Sequence, residues 1–153
     1  MRSVCLDRGM LPDRPQAPGY LANLMARLFH EVSGAGLRPL GIQPEQFPFL
    51  VELWFSGTDV TRESLRRTQE MEGPEVEAML SRLAADGLIV QVPENLNKKI
   101  VLTPKATAAR DAAIAAARRA NQAAAGALSE AEMAQFLALT NRVIDALQAA
   151  KRS

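Results

Sequence analysis

The stretch EGPEVEAMLSRLAADGLIV, Glu72 to Val90, decides the fold. Gly73-Pro74 opens a helix, because proline is tolerated in a first helical turn. Val76, Met79, Leu80 and Leu83 then recur at three- and four-residue spacing and form one apolar face. Asp86-Gly87 closes the helix, glycine being the usual residue past a helix end. A run of β-formers follows from Leu88. A helix that leads directly into a short β run has the layout of a recognition helix entering a β-wing. Against that reading, Glu75 and Glu77 stand near the start of the helix, where carboxylates would meet phosphates.

Downstream, Leu88 to Val92 and Ile100 to Leu102 are rich in β-formers, and Pro93-Glu94-Asn95-Leu96-Asn97 between them is turn-rich, which predicts a β-hairpin. Thr103-Pro104 caps a long Ala-rich helix that Gly126 ends. Ser129-Glu130-Ala131-Glu132 is a capping box, the most specific local signal in the chain. The last helix carries Met133, Phe136, Leu137, Thr140, Val143, Ile144 and Leu147 on one face.

Upstream, Thr61 is an N-cap for a short helix from Arg62 to Gln69, preceded by a turn at Ser56-Gly57-Thr58-Asp59. A further helix begins near Gln43-Pro44, with Phe47, Leu50, Val51 and Trp54 as its expected buried face. Pro48 should kink this helix or move its start later. The first helix begins at Tyr20. Its stripe is Leu21, Leu24, Met25, Leu28, Phe29 and Val32, and Gly34, Gly36 and Pro39 are expected to end it. Met1 to Gly19, with Pro12, Pro15 and Pro18, reads as a mobile arm.

The order is four helices, a hairpin and two long helices. The fold class is therefore mainly α (α+β): a winged helix-turn-helix with N- and C-terminal helices forming a dimerisation bundle. The expected segments are an arm over 1–19, a dimerisation helix over 20–42, a winged-helix DNA-binding region over 43–103 and long dimerisation helices over 104–153.

The chain has 153 residues, 48% apolar and only 5% aromatic, with much of the apolar content Ala. Alanine helices bury little area each, so they pack closely or share a core with a second chain. The net charge of +1 makes any nucleic-acid site a local patch. A lone cysteine, Cys5, excludes an intrachain disulfide framework and fits a reducing compartment. No apolar run approaches the roughly 18 residues of a membrane span, and the N-terminus lacks a signal-peptide core. A cytoplasmic location is expected. One His and one Cys supply no metal-ligand cluster, and no Gly-rich phosphate loop or Ser-His-Asp set stands out, so no enzyme, metal or cofactor is expected.

Three pieces in this order resemble the MarR family of bacterial transcriptional regulators: LRPLGIQPEQFPFLVELW leading into the second helix, AMLSRLAADGLIV at the end of the recognition helix, and VLTPKA leaving the wing. The resemblance runs from about Tyr20 to about Ala149. It implies a homodimer with interlocked terminal helices and one winged helix per half-site of a pseudo-palindromic operator in double-stranded DNA. It also implies a small aromatic effector bound between the bundle and the winged helix. The chain departs from the family in two places. Its recognition helix has Pro74, Glu75, Glu77 and Ala78 where relatives favour Ser, Thr or Arg, and Asn97-Lys98-Lys99 replaces the Asp-x-Arg signature of the wing.

The DNA-binding candidates are Arg62, Arg66 and Arg67 on the third helix, Glu75, Glu77 and Ser81 on the recognition helix, and Lys98 and Lys99 on the wing. A Glu can accept from cytosine N4, whereas acids beside phosphates oppose binding. The arginines could instead pair with Glu63, Glu70 and Glu72 on a solvated surface. Candidates for an effector pocket are Met25, Phe29, His30, Phe47 and Trp54, which could equally be core. The lone His30 is a candidate pocket or pH-sensing residue because histidine is the side chain suited to that role, set against an ordinary interface or surface residue, and Cys5 has only weak reason for redox sensing. The rival expectation is a dimer of this fold that has lost DNA binding and serves as a protein-interaction or ligand-binding module.

Overall fold

The computed structural model describes residues 14–94 and 97–153. Cys5, most of the expected arm and the hairpin tip Asn95-Leu96 lie outside the described residues. The elements are α1 (Pro18–Leu37), α2 (Phe47–Ser56), α3 (Arg62–Thr68), α4 (Gly73–Ala85), β1 (Ile89–Glu94), β2 (Asn97–Leu102), α5 (Pro104–Ala125) and α6 (Glu130–Arg152). Short 3-10 turns at Arg38–Leu40, Pro44–Gln46 and Gly57–Asp59 join the first helices. No helix among the described residues is long and apolar enough to cross a membrane.

Gly34 and Gly36 do not end α1, as the sequence suggested; the helix runs through both to Leu37. A glycine inside a helix costs stability, but here the neighbours require it. A Cβ on Gly36 would stand 2.7 Å from the Cβ of Ala116. That contact fixes the close approach of α1 to α5. The inner face of α5 is the alanine ladder Ala106, Ala109, Ala113, Ala116 and Ala120, all buried.

Pro48 moves the start of α2 to Phe47, after the Pro44–Gln46 turn. The buried face of α2 differs from the expected one: Phe49, Leu50 and Leu53 are fully buried, while Phe47 and Trp54 pack at the edge of the core. The true stripe is Gln46, Phe49, Leu50 and Leu53, and a polar residue at its head conceals it. Gln46 is 0% exposed. Its carbonyl accepts from the Gln43 N–H at 2.8 Å, and its amide donates to Asp86 Oδ2 at 2.7 Å. The core is otherwise formed by α2, α3 and α4 closing on the base of the hairpin, with Leu65, Val76, Leu80, Leu83, Leu88 and Ile89 buried.

The hairpin strands are longer than expected. Pro93, Glu94 and Asn97 belong to the ladder, not to the turn, in the register Ile89↔Leu102 through Glu94↔Asn97. The pairing explains why a proline is tolerated. Thr103 N–H donates to the Leu88 carbonyl at 3.1 Å. Antiparallel pairs alternate between bonded and non-bonded, which makes Pro93↔Lys98 a non-bonded pair. Pro93 therefore lacks no ladder donor, and the Lys98 carbonyl faces away from β1.

Helix α6 follows its capping box, with Ser129 Oγ accepting from the Glu132 N–H and Glu132 accepting from the Ser129 N–H. Among the described residues it buries none of its own side chains. Leu147 is 65% exposed and Val143 51%, and Leu28 and Val32 on α1 are also exposed.

Candidate nucleic-acid interface

Helices α3 and α4 form a helix-turn-helix. Thr61 caps α3 by accepting from the Ser64 N–H at 3.1 Å, and Ser64 Oγ accepts from the Thr61 N–H at 2.9 Å. The helix ends in a Schellman motif: Met71 N–H donates to the Arg66 carbonyl at 3.0 Å and Glu70 N–H to the Arg67 carbonyl at 3.3 Å. Glu70 accordingly takes a left-handed φ of 53°. Helix α4 ends in the same way at Gly87, φ 71°, with Leu88 N–H donating to the Leu83 carbonyl at 2.9 Å.

Val76, Met79, Leu80 and Leu83 hold α4 to the core. Its open side carries Glu75, Glu77, Ala78, Ser81 and Arg82, all exposed. Arg82 was not singled out in the sequence. Its seven-residue offset from Glu75, two helical turns on the same face, is the signal that could have found it.

Arg62 and Glu77 are joined. Arg62 Nε donates to Glu77 Oε1 at 2.5 Å. The other arms of the guanidinium donate to the Lys98 carbonyl at 2.6 Å, through Nη1, and to Gln91 Oε1, through Nη2. One side chain of α3 thus reaches α4 and both wing strands. Gln91 was not anticipated, because its partner lies 29 positions away.

Arg66 pairs with Glu63 on its own helix at 3.2 Å. The hydrogen bond and the charge of Arg66 lower the Glu63 pKa below 4.5, and the same pair raises that of Arg66. Arg67 has no ion-pair partner among the described residues. Together with Arg66 it borders an open cavity of about 820 Å³ between the α3–α4 turn and the end of α6. Across that cavity Lys151 Nζ stands 3.8 Å from Glu72 Oε1. Lys98 is exposed on the wing and Lys99 is half-buried beside it.

The effector candidates separate into three places. Met25 and Phe29 line an apolar groove of about 370 Å³ between α1 and α5, with Leu21, Leu24, Leu28 and Ala120. Phe47 and Trp54 meet edge to face, with ring centroids 6.1 Å apart, and Trp54 Nε1 donates to the Ala106 carbonyl at 3.1 Å. His30 Nδ1 lies 3.7 Å from Glu45 Oε1 in a half-exposed pair.

No protein-family model matches the chain, and no curated protein matches it in sequence. Solved structures do match in fold. The chain is similar to S. aureus MepR in a DNA complex, at 22% identity over 86% of this chain and 96% of that one, with a TM-score of 0.74. It is similar to a mutant MarR from E. coli complexed with operator DNA, at 20% identity over 82% and 91%, with a TM-score of 0.70. It is also similar to the Mycobacterium tuberculosis MarR-family protein Rv2887 in complex with p-aminosalicylic acid, at 20% identity over 83% and 98%, with a TM-score of 0.57. The chain has the winged helix-turn-helix fold of these regulators.

Proposed function

We propose that this chain is a cytoplasmic, non-enzymatic transcriptional regulator of MarR type that binds operator DNA as a homodimer and responds to a small aromatic ligand. The observation that carries this reading is the state of the α4 surface. Glu77, one of the two acids that argued against DNA, is held by Arg62. The rest of the open side presents Ala78, Ser81 and Arg82, with Lys98 on the adjoining wing. Short and hydroxyl side chains can approach base edges, and Ser bonds to any base. Glu75 remains the single unpaired acid on α4 among the described residues, and its acceptor oxygens suit cytosine N4.

Two neighbours of this fold are solved on DNA, and a third holds an aromatic carboxylate. The uncovered apolar faces of α1 and α6 are suited to a second copy of the chain. A two-fold dimer would present two winged helices about one DNA turn apart. A ligand that prefers another spacing of the two heads would lower operator affinity by population shift.

The test is fluorescence anisotropy of the purified dimer against duplexes selected from a random library and against scrambled controls, across a salt series. Selective binding is expected, and Lys98→Ala should reduce the salt slope by about 1. Addition of p-aminosalicylic acid as a probe should weaken the complex. Equal, weak binding to every duplex at low salt would instead identify an interaction module of this fold.

A further inference from the structure

We infer that Arg62 is a positioning residue: it locks the wing to the recognition helix, and its charge is not available to a phosphate. The inference rests on the DNA-binding reading above. Arg62 is the first residue of α3. A cation at a helix N-terminus is opposed by the helix dipole, so the helix alone gives no reason for an arginine there. The reason lies across the fold. Nε faces Glu77 on α4, Nη2 faces Gln91 on β1, and Nη1 faces the main-chain carbonyl of Lys98 on β2.

Each of those acceptors is otherwise idle among the described residues. The Lys98 carbonyl points away from its strand partner, because Pro93↔Lys98 is a non-bonded pair of the ladder. Glu77 and Gln91 each accept from Arg62 and from no other side chain there. The guanidinium offers a rigid fork of donors, and here the fork meets a carboxylate, an amide oxygen and a carbonyl on three elements. Its side chain is 30% exposed, against 46% for Arg66. Lys98, whose carbonyl is held, has its own side chain exposed on the outer strand. The clamp thereby fixes the distance between the face of α4 and the wing cation that would meet the backbone of the duplex.

The variants Arg62→Ala, Arg62→Lys, Glu77→Ala and the double Arg62→Ala/Glu77→Ala separate positioning from contact. Hydrogen exchange on the free dimer is read first. Arg62→Ala and Arg62→Lys should each accelerate exchange of the β1 and β2 amides about tenfold, the scale of a lost charge-assisted bond, with α1 and α5 unchanged. Anisotropy is read next on a selected duplex. Affinity should fall about tenfold in both Arg62 variants with the salt slope unchanged, and Glu77→Ala should lower affinity as well. The double variant should be no weaker than Arg62→Ala alone.

A phosphate contact predicts the opposite pattern. Arg62→Lys would keep most of the affinity, Arg62→Ala would reduce the salt slope by about 1, and Glu77→Ala would strengthen binding. That pattern, or unchanged exchange in the wing, overturns the inference. Absence of duplex binding by the parent protein overturns the regulator reading, and exchange still decides whether the clamp exists.

Discussion

The side-chain amide of Gln46 donates to the Asp86 carboxylate at 2.7 Å, joining the start of α2 to the end of α4 across 40 positions of sequence. Gln46 is fully buried, and Lys105 Nζ donates to the Asp86 carbonyl at 2.9 Å from the first turn of α5. The end of α4 is therefore tied to two other helices. Gln46→Leu keeps volume but leaves the Gln43 N–H without its acceptor and Asp86 without its donor. Asp86 is exposed and Gln43 half-buried, so the cost to the fold is that of one neutral and one charge-assisted hydrogen bond lost, about 1–3 kcal/mol. Urea unfolding should show a lower midpoint with an unchanged slope.

Glu70→Gly should be stabilising. Glu70 occupies the left-handed position of the α3 Schellman motif that Gly87 fills after α4. A non-glycine residue there costs about 1–2 kcal/mol, and glycine gives back part of that in unfolded-chain entropy. A net gain of about 0.5–1 kcal/mol is expected from thermal or urea melts. Gly87→Ala should move in the opposite direction, since φ is 71° there.

Acid should loosen α3 and α6 before the core. The Glu132 pKa is lowered by its hydrogen bonds with the backbone and side chain of Ser129, and the Glu63 pKa by Arg66. A lowered folded-state pKa contributes stability above the unfolded value near 4.5 and loses it as pH falls through the folded value. Melting temperatures between pH 6 and pH 3 should decline below about 4.5. Glu132→Gln, which keeps the cap without the titration, should flatten part of that decline.

If α1 and α6 pair two copies of the chain as proposed, Val143→Asp should separate them. Val143 lies on the uncovered face of α6 and is 51% exposed in one protomer. A carboxylate buried there by a second copy would be unpaired. Sedimentation should show a smaller species, and operator binding should be lost with it. Sedimentation of Val143→Asp as an unchanged dimer would place the interface elsewhere.

The parts of this fold that were legible in the sequence are those governed by neighbours within one helix. The face Val76, Met79, Leu80 and Leu83 is buried as its spacing implies. Thr61 and Ser129 cap the helices they precede. What the sequence concealed depends on distant partners. Gly36 reads as a helix breaker until Ala116 is seen beside it. Gln46 interrupts an apolar stripe until Asp86 is found to receive it. Glu77 reads as a repulsive charge facing DNA, yet its partner Arg62 lies 15 positions back, on another helix. The residue types of the candidate interface could be read in order along the chain. Which of them are tied to each other, and which are open, is set by packing.

The uncovered apolar face of α6 has a consequence for gene dosage. A 23-residue helix that fully buries no residue in its own protomer, with only Met133, Thr140 and Gln148 half-buried, has little to hold it in water. If a second copy supplies its cover, folding becomes a bimolecular process whose yield depends on how much chain a cell contains. At low abundance the population of paired chains grows as the square of the chain concentration. For the regulator proposed above, operator occupancy would then respond to expression more steeply than that of a monomeric repressor. A promoter under such a regulator would switch over a narrower range of its abundance, with no cooperative contact between proteins on the DNA.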